Sequence, residues 1–332
     1  MHVVVVGCGS IGMRHLRNLR ALGVTTLTGV EIDRERGAKA GRELGVRMCG
    51  TLQESLREGA GVVFVTVPTA LHIPVALEAV RSGCHVFIEK PLSHSLDGVA
   101  ELMEQVERRS LVGFVGSNWK FHPSFQTIKS MLEKGAIGRI TSARCQFGQY
   151  LPDWHPWEDY RHGYSARKDL GGGILLDSHE FDLMTWLLGP VQRVSCVCAK
   201  ASSLEIDTED TAAAILQLRS GAIGEIHVDY TQRAYQRSLE IHGEEGTIQW
   251  DIRQRSVQVY WASRKSWEVV EEPVGYELNN MYVEEVRHFL HCVERGESPV
   301  TPLAVGAAVL RLLLAARRSS EDGICLDIGD LQ

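Results

Sequence analysis

Four consecutive valines, Val3 to Val6, run straight into Gly7-Cys8-Gly9-Ser10-Ile11-Gly12, and the residues from Met13 to Leu22 carry the apolar spacing of an amphipathic helix. Glycines collect in any loop, but a Gly-x-Gly-x-x-Gly between a strand and a helix has a mechanism. Gly7 permits the tight turn, Gly9 lets a pyrophosphate approach the backbone, and Gly12 lets the helix lie close to the strand. The helix's free N–H groups, those of Ser10 and Ile11 first, and its positive dipole end then face the anion. A second strand, Thr25 to Ile32, ends beside Glu31 and Asp33, where an acidic group about 20 residues on holds the ribose 2′-hydroxyl. Glu31 is the first choice and Asp33 the second. A carboxylate there repels a 2′-phosphate and favours NAD, while Arg34 and Arg36 keep NADP as the alternative.

Strand and helix patterns keep alternating: Gly61 to Val67, Leu71 to Arg81, His85 to Ile88, Leu96 to Arg109, Leu111 to Gly116. Short connections between such elements imply parallel strands with helical crossovers, an α/β doubly wound sheet of Rossmann type with its ligand crevice at the strands' carboxyl ends. Three strand ends should therefore converge on the nicotinamide: Thr66-Val67-Pro68-Thr69, Glu89-Lys90-Pro91 and Ser117-Asn118-Trp119-Lys120. His72, just beyond the first, is expected to cap its helix or touch the cofactor ribose. After a helix from Ser124 to Leu132 the pattern changes to long alternating strands, from Arg139 to Tyr150 onward to Val257 to Ala262, and two helical patterns, Glu284 to Arg295 and Leu303 to Ser319, close the chain. The expected organisation is a dinucleotide-binding domain over residues 1–120 and an α+β domain over 121–332 that binds substrate. The second domain's large, mostly antiparallel open sheet leaves a face to be covered, which predicts a homodimer or homotetramer.

Composition narrows the class. With 332 residues, 23% of them charged, and a formal net charge of −7, the chain has no basic cluster interleaved with aromatics, so nucleic acid is not an expected partner. The apolar stretch Ala304 to Ala316 carries Arg311 and falls short of the roughly 18 residues of a membrane span, so it reads as a buried helix. A core strand beginning at His2 leaves no room for a leader peptide, and the expected location is the cytoplasm. Eight scattered cysteines, with Cys196 and Cys198 alternating along a strand, form neither a zinc pattern nor a disulfide framework.

These residues together resemble the Gfo/Idh/MocA oxidoreductases, the family of glucose-fructose oxidoreductase and inositol dehydrogenase. The likeness covers nearly the whole chain. It is carried by the loop at 7 to 12, Val-Pro-Thr-Ala-Leu-His at 67 to 72, Ser-Gly-Cys-His-Val-Phe-Ile-Glu-Lys-Pro-Leu at 82 to 92, and Gly-Gly-Gly-Ile-Leu-Leu-Asp-Ser-His-Glu-Phe-Asp at 171 to 182. The resemblance implies hydride transfer between a nicotinamide and a secondary hydroxyl of a sugar, polyol or sugar derivative. It also implies an active-centre Lys90, a cis Lys90-Pro91 bond, and a turn at Asn118 and Lys120 beside the carboxamide and the substrate.

Lys90 closes an apolar strand at the ligand end of the sheet, a poor place for an amine to be solvated. Its expected role is to donate a hydrogen bond to the reacting oxygen and stabilise developing charge. The proton must also be accepted, and among 13 histidines the candidate is His179, which matches the family's catalytic histidine with Trp186 as anchor and follows a glycine triplet. The family's usual aspartate four residues earlier is replaced by Leu175. Asp177 is thus a catalytic candidate or, in Asp177-Ser178-His179-Glu180, the N-cap of a capping box. Asp182, three residues on, lies on the face of His179 and is the other candidate to orient it.

The segment from Tyr150 to Tyr164 is dense in aromatics and hydrogen-bonding side chains, as a substrate lid for a sugar would be. Trp154, Tyr160, Arg161 and Tyr164, with Lys120 and Lys168, are the expected substrate-binding residues. The same stretch resembles a branch of the family associated with bacterial surface-polysaccharide sugars, which points to a nucleotide sugar or acidic sugar whose anion Arg161, Arg167 and Lys168 would receive. Two other functions stay open: a redox-neutral enzyme with retained NAD, such as a glycosidase or transhydrogenase, which would share every motif, and a non-catalytic NAD-sensing regulatory protein, which would keep the Gly7 to Gly12 loop but not need Lys90 with His179.

Overall fold

A computed structural model describes residues 1–177 and 179–330. The chain forms two compact units, Met1–Asn118 with Leu278–Leu310, and Trp119–Glu277 with Arg311–Gln332.

The first unit holds six parallel strands: β1 (His2–Val6), β2 (Thr26–Val30), β3 (Arg47–Cys49), β4 (Val62–Val65), β5 (His85–Ile88) and β6 (Gly113–Val115), in the order β3-β2-β1-β4-β5-β6. Val3, Val4 and Val5, and all of Val62–Val65, are fully buried, which is why these strands read as unbroken apolar runs rather than alternating ones. Strand order reverses between β1 and β4, and the loops leaving those two strands flank the crevice. Short β3 begins with exposed Arg47 and lies at the sheet's edge, so neither length nor hydrophobicity announces it.

Residues 278–310 belong to this unit, whereas the boundary expected at 120/121 assigned them to the second domain. Phe289, on the helix Asn279–Arg295, packs its ring 5.5 to 5.7 Å from those of Phe64, Phe87 and Phe114. Val115 donates its N–H to the Thr301 carbonyl at 3.0 Å. Helical periodicity shows that a face is buried but not against what.

The second unit is built on nine strands: β7 (Ile140–Gly148), β8 (Val191–Ala199), β9 (Thr211–Leu218), β10 (Ile223–Asp229), β11 (Gln236–Gly243), β12 (Gly246–Asp251), β13 (Ser256–Trp261), β14 (Ser266–Glu271) and β15 (Leu326–Asp327). Their order is β14-β13-β12-β11-β7-β10-β9-β8-β15, and β7 with β10 is the one parallel pair among antiparallel neighbours. Burial alternates residue by residue along β9, where Ala212, Ala214, Leu216 and Leu218 face the core and Ile215 is exposed. β14 is exposed almost throughout and lies at an edge, so no alternation marks it. Among the described residues no helix is long and apolar enough to cross a membrane.

Candidate active site

In the first unit the glycine loop behaves as its spacing requires. Gly7 has φ +92°, and a Cβ on Gly12 would lie 1.9 Å from the Gly7 carbonyl oxygen. These two glycines are demanded by the protein's own packing. A Cβ on Gly9 would meet nothing within 4 Å, so its bareness keeps an approach open for a ligand. Helix Ser10–Ala21 starts at Gly9 with no side-chain cap, and Ser10 and Ile11 form the first turn, whose N–H groups lack intrahelical acceptors. The cradle fits a pyrophosphate.

Glu31 is 8% exposed and fixed. Its carboxylate accepts the Cys8 N–H at 2.9 Å and the Asp33 N–H at 3.0 Å, with an Arg36 guanidinium nitrogen at 3.6 Å. A rigid anion thus stands beside the glycine loop. Asp33 has different work: it is the N-cap of helix Arg34–Leu44, its Oδ1 accepting from the Glu35 and Arg36 N–H groups, and the Arg36 backbone bond leads in lowering its pKa. Thr66 shares its hydroxyl between the carbonyls of Val6, at 2.9 Å, and Gly7, at 2.7 Å, and so clamps the turn. Burial, aided by Glu31, pushes the Cys8 thiol up to about 12, which makes it inert as a nucleophile.

The Lys90-Pro91 bond is cis. His72, buried where Pro68 and Thr69 lead into its helix, lies with Nδ1 2.9 Å from the Pro91 carbonyl and Nε2 2.9 Å from that of Val67. It ties two strand ends together instead of capping its helix. Burial lowers its pKa, against the pull of the two carbonyls. Glu89 places Oε1 2.6 Å from His15 Nε2 and accepts the Lys90 N–H at 3.2 Å on Oε2. Burial alone would raise this carboxyl, but the His15 bond and the charge of Lys90 outweigh it and the net shift is downward. Asn118 is 4% exposed and its Nδ2 has no partner. An orphaned buried amide donor at this strand end fits a nicotinamide carboxamide. Beside it the Ser117 N–H donates to buried Glu285, a residue that sequence reading passed over because 168 positions separate the two.

In the second unit Lys120 is fully buried, its Nζ 2.7 Å from Asp182 Oδ1 and 6.0 Å from the Trp186 ring centre. Asp182 lies in the first turn of helix Glu180–Leu188, whose N-cap is His179. The His179 N–H donates to Glu180 Oε2 at 2.9 Å. Glu180 is fully buried, with Oε1 3.0 Å from Nε of Arg237, whose guanidinium lies 4.3 Å from the ring centres of Trp119 and Phe147. A buried, aromatic-lined ion pair therefore anchors the peptide of His179. Nothing local announces it.

Asp177 ends the short helix Ile174–Asp177 and is 3% exposed. Its carboxylate accepts from the Tyr164 hydroxyl, from Ser165 Oγ at 2.6 Å and from the Tyr230 hydroxyl at 3.0 Å. The expected capping box is not formed, because Asp177 belongs to the preceding helix and three hydroxyls take its oxygens. Ser178 lies outside the described residues.

The aromatic segment folds largely onto its own unit. The Trp154 ring packs 5.3 Å from Tyr230 and 5.9 Å from Phe147, the Tyr160 hydroxyl accepts the Glu205 N–H at 3.2 Å, and Tyr164 serves Asp177. Arg161 is paired with Asp159 at 2.7 Å and Glu205 at 3.3 Å, holding Asp159 at about 2, and Arg167 with Asp169 at 2.7 Å. Lys168 is exposed, with its N–H on Asp207. What this unit draws together is Lys120 with Asp182, on the helix whose N-cap is His179.

Residues 1–117 match the family profile of oxidoreductases with an NAD-binding Rossmann fold, and residues 125–249 that of the GFO/IDH/MocA C-terminal domain. A myo-inositol 2-dehydrogenase of Thermotoga maritima is 30% identical over 343 aligned residues, covering 97% of each chain. GenD2 of gentamicin A biosynthesis, solved in complex with NAD, is 26% identical over 98% of this chain and 96% of its own, at a TM-score of 0.85. Levoglucosan dehydrogenase, solved with NADH, reaches a TM-score of 0.90 over 99% of both chains at 22% identity, a likeness of fold. The expected resemblance holds, and the chain belongs to the Gfo/Idh/MocA family of NAD-dependent oxidoreductases.

Proposed function

We propose that the protein interconverts a secondary hydroxyl and a carbonyl on a carbohydrate-type substrate, with NAD as the hydride partner. Bound NAD supplies the hydride acceptor. Gly7, Gly9 and Gly12 cradle the pyrophosphate, Glu31 receives the ribose hydroxyls, and Asn118 holds the carboxamide. Lys90 donates a hydrogen bond to the reacting oxygen and His179 accepts its proton. The observation that carries this reading is the strand-end group of Glu89-bound Lys90 and the orphaned Asn118 amide in a Rossmann unit.

A neutral polyol or free sugar fits better than the acidic or nucleotide sugar implied by the resemblance of the aromatic segment. Arg161 and Arg167 are already neutralised by Asp159, Glu205 and Asp169. The T. maritima relative acts on myo-inositol by name, and a Bacillus subtilis relative, 25% identical, on scyllo-inositol. Exposed Val197, Ile215 and Ile223 on the open face of the nine-stranded sheet support a homodimer or homotetramer.

The test is NAD reduction across inositols, free sugars, sugar acids and nucleotide sugars, with chain mass measured by light scattering. Oxidation of a polyol or neutral sugar is expected. Activity confined to non-carbohydrates, or turnover that needs no added NAD, would overturn the assignment.

A further inference from the structure

Two buried imidazoles of the first unit reach the Glu-Lys-Pro corner without a part in the proposed chemistry: His72, whose ring nitrogens face the carbonyls of Pro91 and Val67, and His15, which faces the Glu89 carboxylate itself. His15 sits on the inner face of helix Ser10–Ala21, fully buried, with its ring 5.4 Å from Phe64 and 5.0 Å from Phe87. An apolar aromatic box is a costly place for a polar ring unless something repays its burial. Its one partner is the Glu89 carboxylate, 2.6 Å from Nε2, while Nδ1 has none. An ionised carboxylate can only accept, so Nε2 carries a proton and donates it to Glu89.

Glu89 is hemmed in on its other side. A Cβ on Gly116 would come within 3.2 Å of Oε2, the same oxygen that accepts the Lys90 N–H. The charged and titratable groups around Glu89 are His15 from the first helix, Lys90 from its own strand end, His72 from the helix His72–Arg81, and Glu285, which holds the neighbouring Ser117 N–H. Among these, His15 is the group whose ring nitrogen binds the carboxylate directly.

We propose that His15 is a positioning residue for Lys90, acting through Glu89: its Nε2–H fixes one carboxylate oxygen so that the other stays turned to the lysine's backbone. The inference rests on the catalytic role assigned to Lys90 above. Without that donor, Glu89 would be a carboxylate in an apolar wall, and burial would favour its neutral form. A protonated Glu89 removes the anion beside Lys90 and frees the side chain to rotate. The loss should appear at low pH and fade as pH rises.

Three variants of the full chain decide this. His15→Phe fills the box without a donor, His15→Gln restores an N–H at nearly the same reach, and Glu89→Gln identifies the Glu89 signal in a chain labelled with δ-¹³C glutamate. In His15→Phe the ¹³C titration midpoint of Glu89 should rise by about one pH unit or more, and His15→Gln should return it toward wild type. With the substrate found in the screen, kcat of His15→Phe relative to wild type should fall about tenfold one pH unit below the shifted Glu89 midpoint and recover to within about threefold one unit above it. An unmoved Glu89 midpoint overturns the proposal, and so does an equal loss of kcat at every pH, which would mark a purely structural ring. If His15→Phe does not fold, His15→Leu and His15→Gln are compared in the same two measurements. Should the chain oxidise no carbohydrate, the functional reading fails by itself while the ¹³C titration still decides whether His15 governs Glu89.

Discussion

The two units carry their functional groups by different means. In the first, the groups belong to the backbone or sit within three residues of a strand end: the glycine turn, Glu31, Glu89-Lys90-Pro91, Asn118. In the second, they depend on side chains brought from far apart, Lys120 to Asp182 across 62 positions, Tyr230 to Asp177 across 53, and Arg237 beneath Glu180. A site carried by backbone ends can be damaged at one position without unfolding its surroundings. A site carried by buried side-chain pairs couples chemistry to stability, because breaking a buried pair leaves an uncompensated charge or hydroxyl.

The largest effects should come from the two proposed chemical groups. Lys90→Ala and His179→Ala are each expected to lower kcat by roughly 10² to 10⁴, with NADH fluorescence titration showing little change in affinity. Turnover within tenfold of wild type in either variant removes that residue from the chemistry. The glycines sharpen the contrast next. Gly12→Ala forces a Cβ into the Gly7 carbonyl and should cost on the order of 1–3 kcal/mol of folding stability. Gly9→Ala meets nothing in the protein, so its Tm should stay at the wild-type value while NADH affinity falls about tenfold or more, as the methyl occupies the pyrophosphate's approach. Equal Tm losses in the two variants would show that Gly9 serves packing instead.

Asp177→Asn tests the other half of the comparison. Three hydroxyls lose an anionic acceptor, so stability should drop by about 1–3 kcal/mol, read by urea unfolding, while kcat stays within about threefold. A hundredfold fall in kcat at unchanged stability would return Asp177 to the catalytic machinery.

What could be read beforehand follows the same division. The glycine loop, the strand alternation and the Glu-Lys-Pro corner are contiguous in sequence, so spacing alone located them. Asp33-Arg34-Glu35-Arg36 is also a readable N-cap, a structural role that proximity to Glu31 hides behind the cofactor site. In the second unit the expected capping box failed for want of tertiary information: nothing near Asp177 foretells that Tyr230, on another strand's end, claims its oxygens. Arg161 finds its first partner in Asp159, two residues before it, a pairing that adjacency in sequence makes available. Aromatic density located the segment from Tyr150 to Tyr164 but not the direction of its rings. That direction depends on Phe147 and Tyr230, which only strand pairing brings near.

The smallest predicted effect is one of pH, and it belongs to the unit held by side-chain pairs. His122 is fully buried, with Nε2 3.5 Å from Glu272, and its Nδ1 accepts the Ser124 N–H as the N-cap of helix Pro123–Glu133. Burial pulls its pKa down to about 4; Glu272 opposes the shift, while Arg237 and Arg255 add to it. An unfolded histidine binds its proton near 6.5. Above that pH both states are neutral and the contribution is complete. Between about 6.5 and 4 the unfolded chain is protonated and the folded one is not, so stability falls as pH falls, by roughly 1.4 kcal/mol per pH unit at most. His72, buried and likewise lowered, pulls the same way in the first unit. His122→Asn keeps a capping oxygen and cannot titrate, so its Tm should decline by a few degrees less than wild type between pH 7 and 5. Parallel Tm curves for the two proteins would mean that the buried cluster of the second unit does not sense protons, and that coupling of charge to stability there is confined to Lys120–Asp182 and Glu180–Arg237.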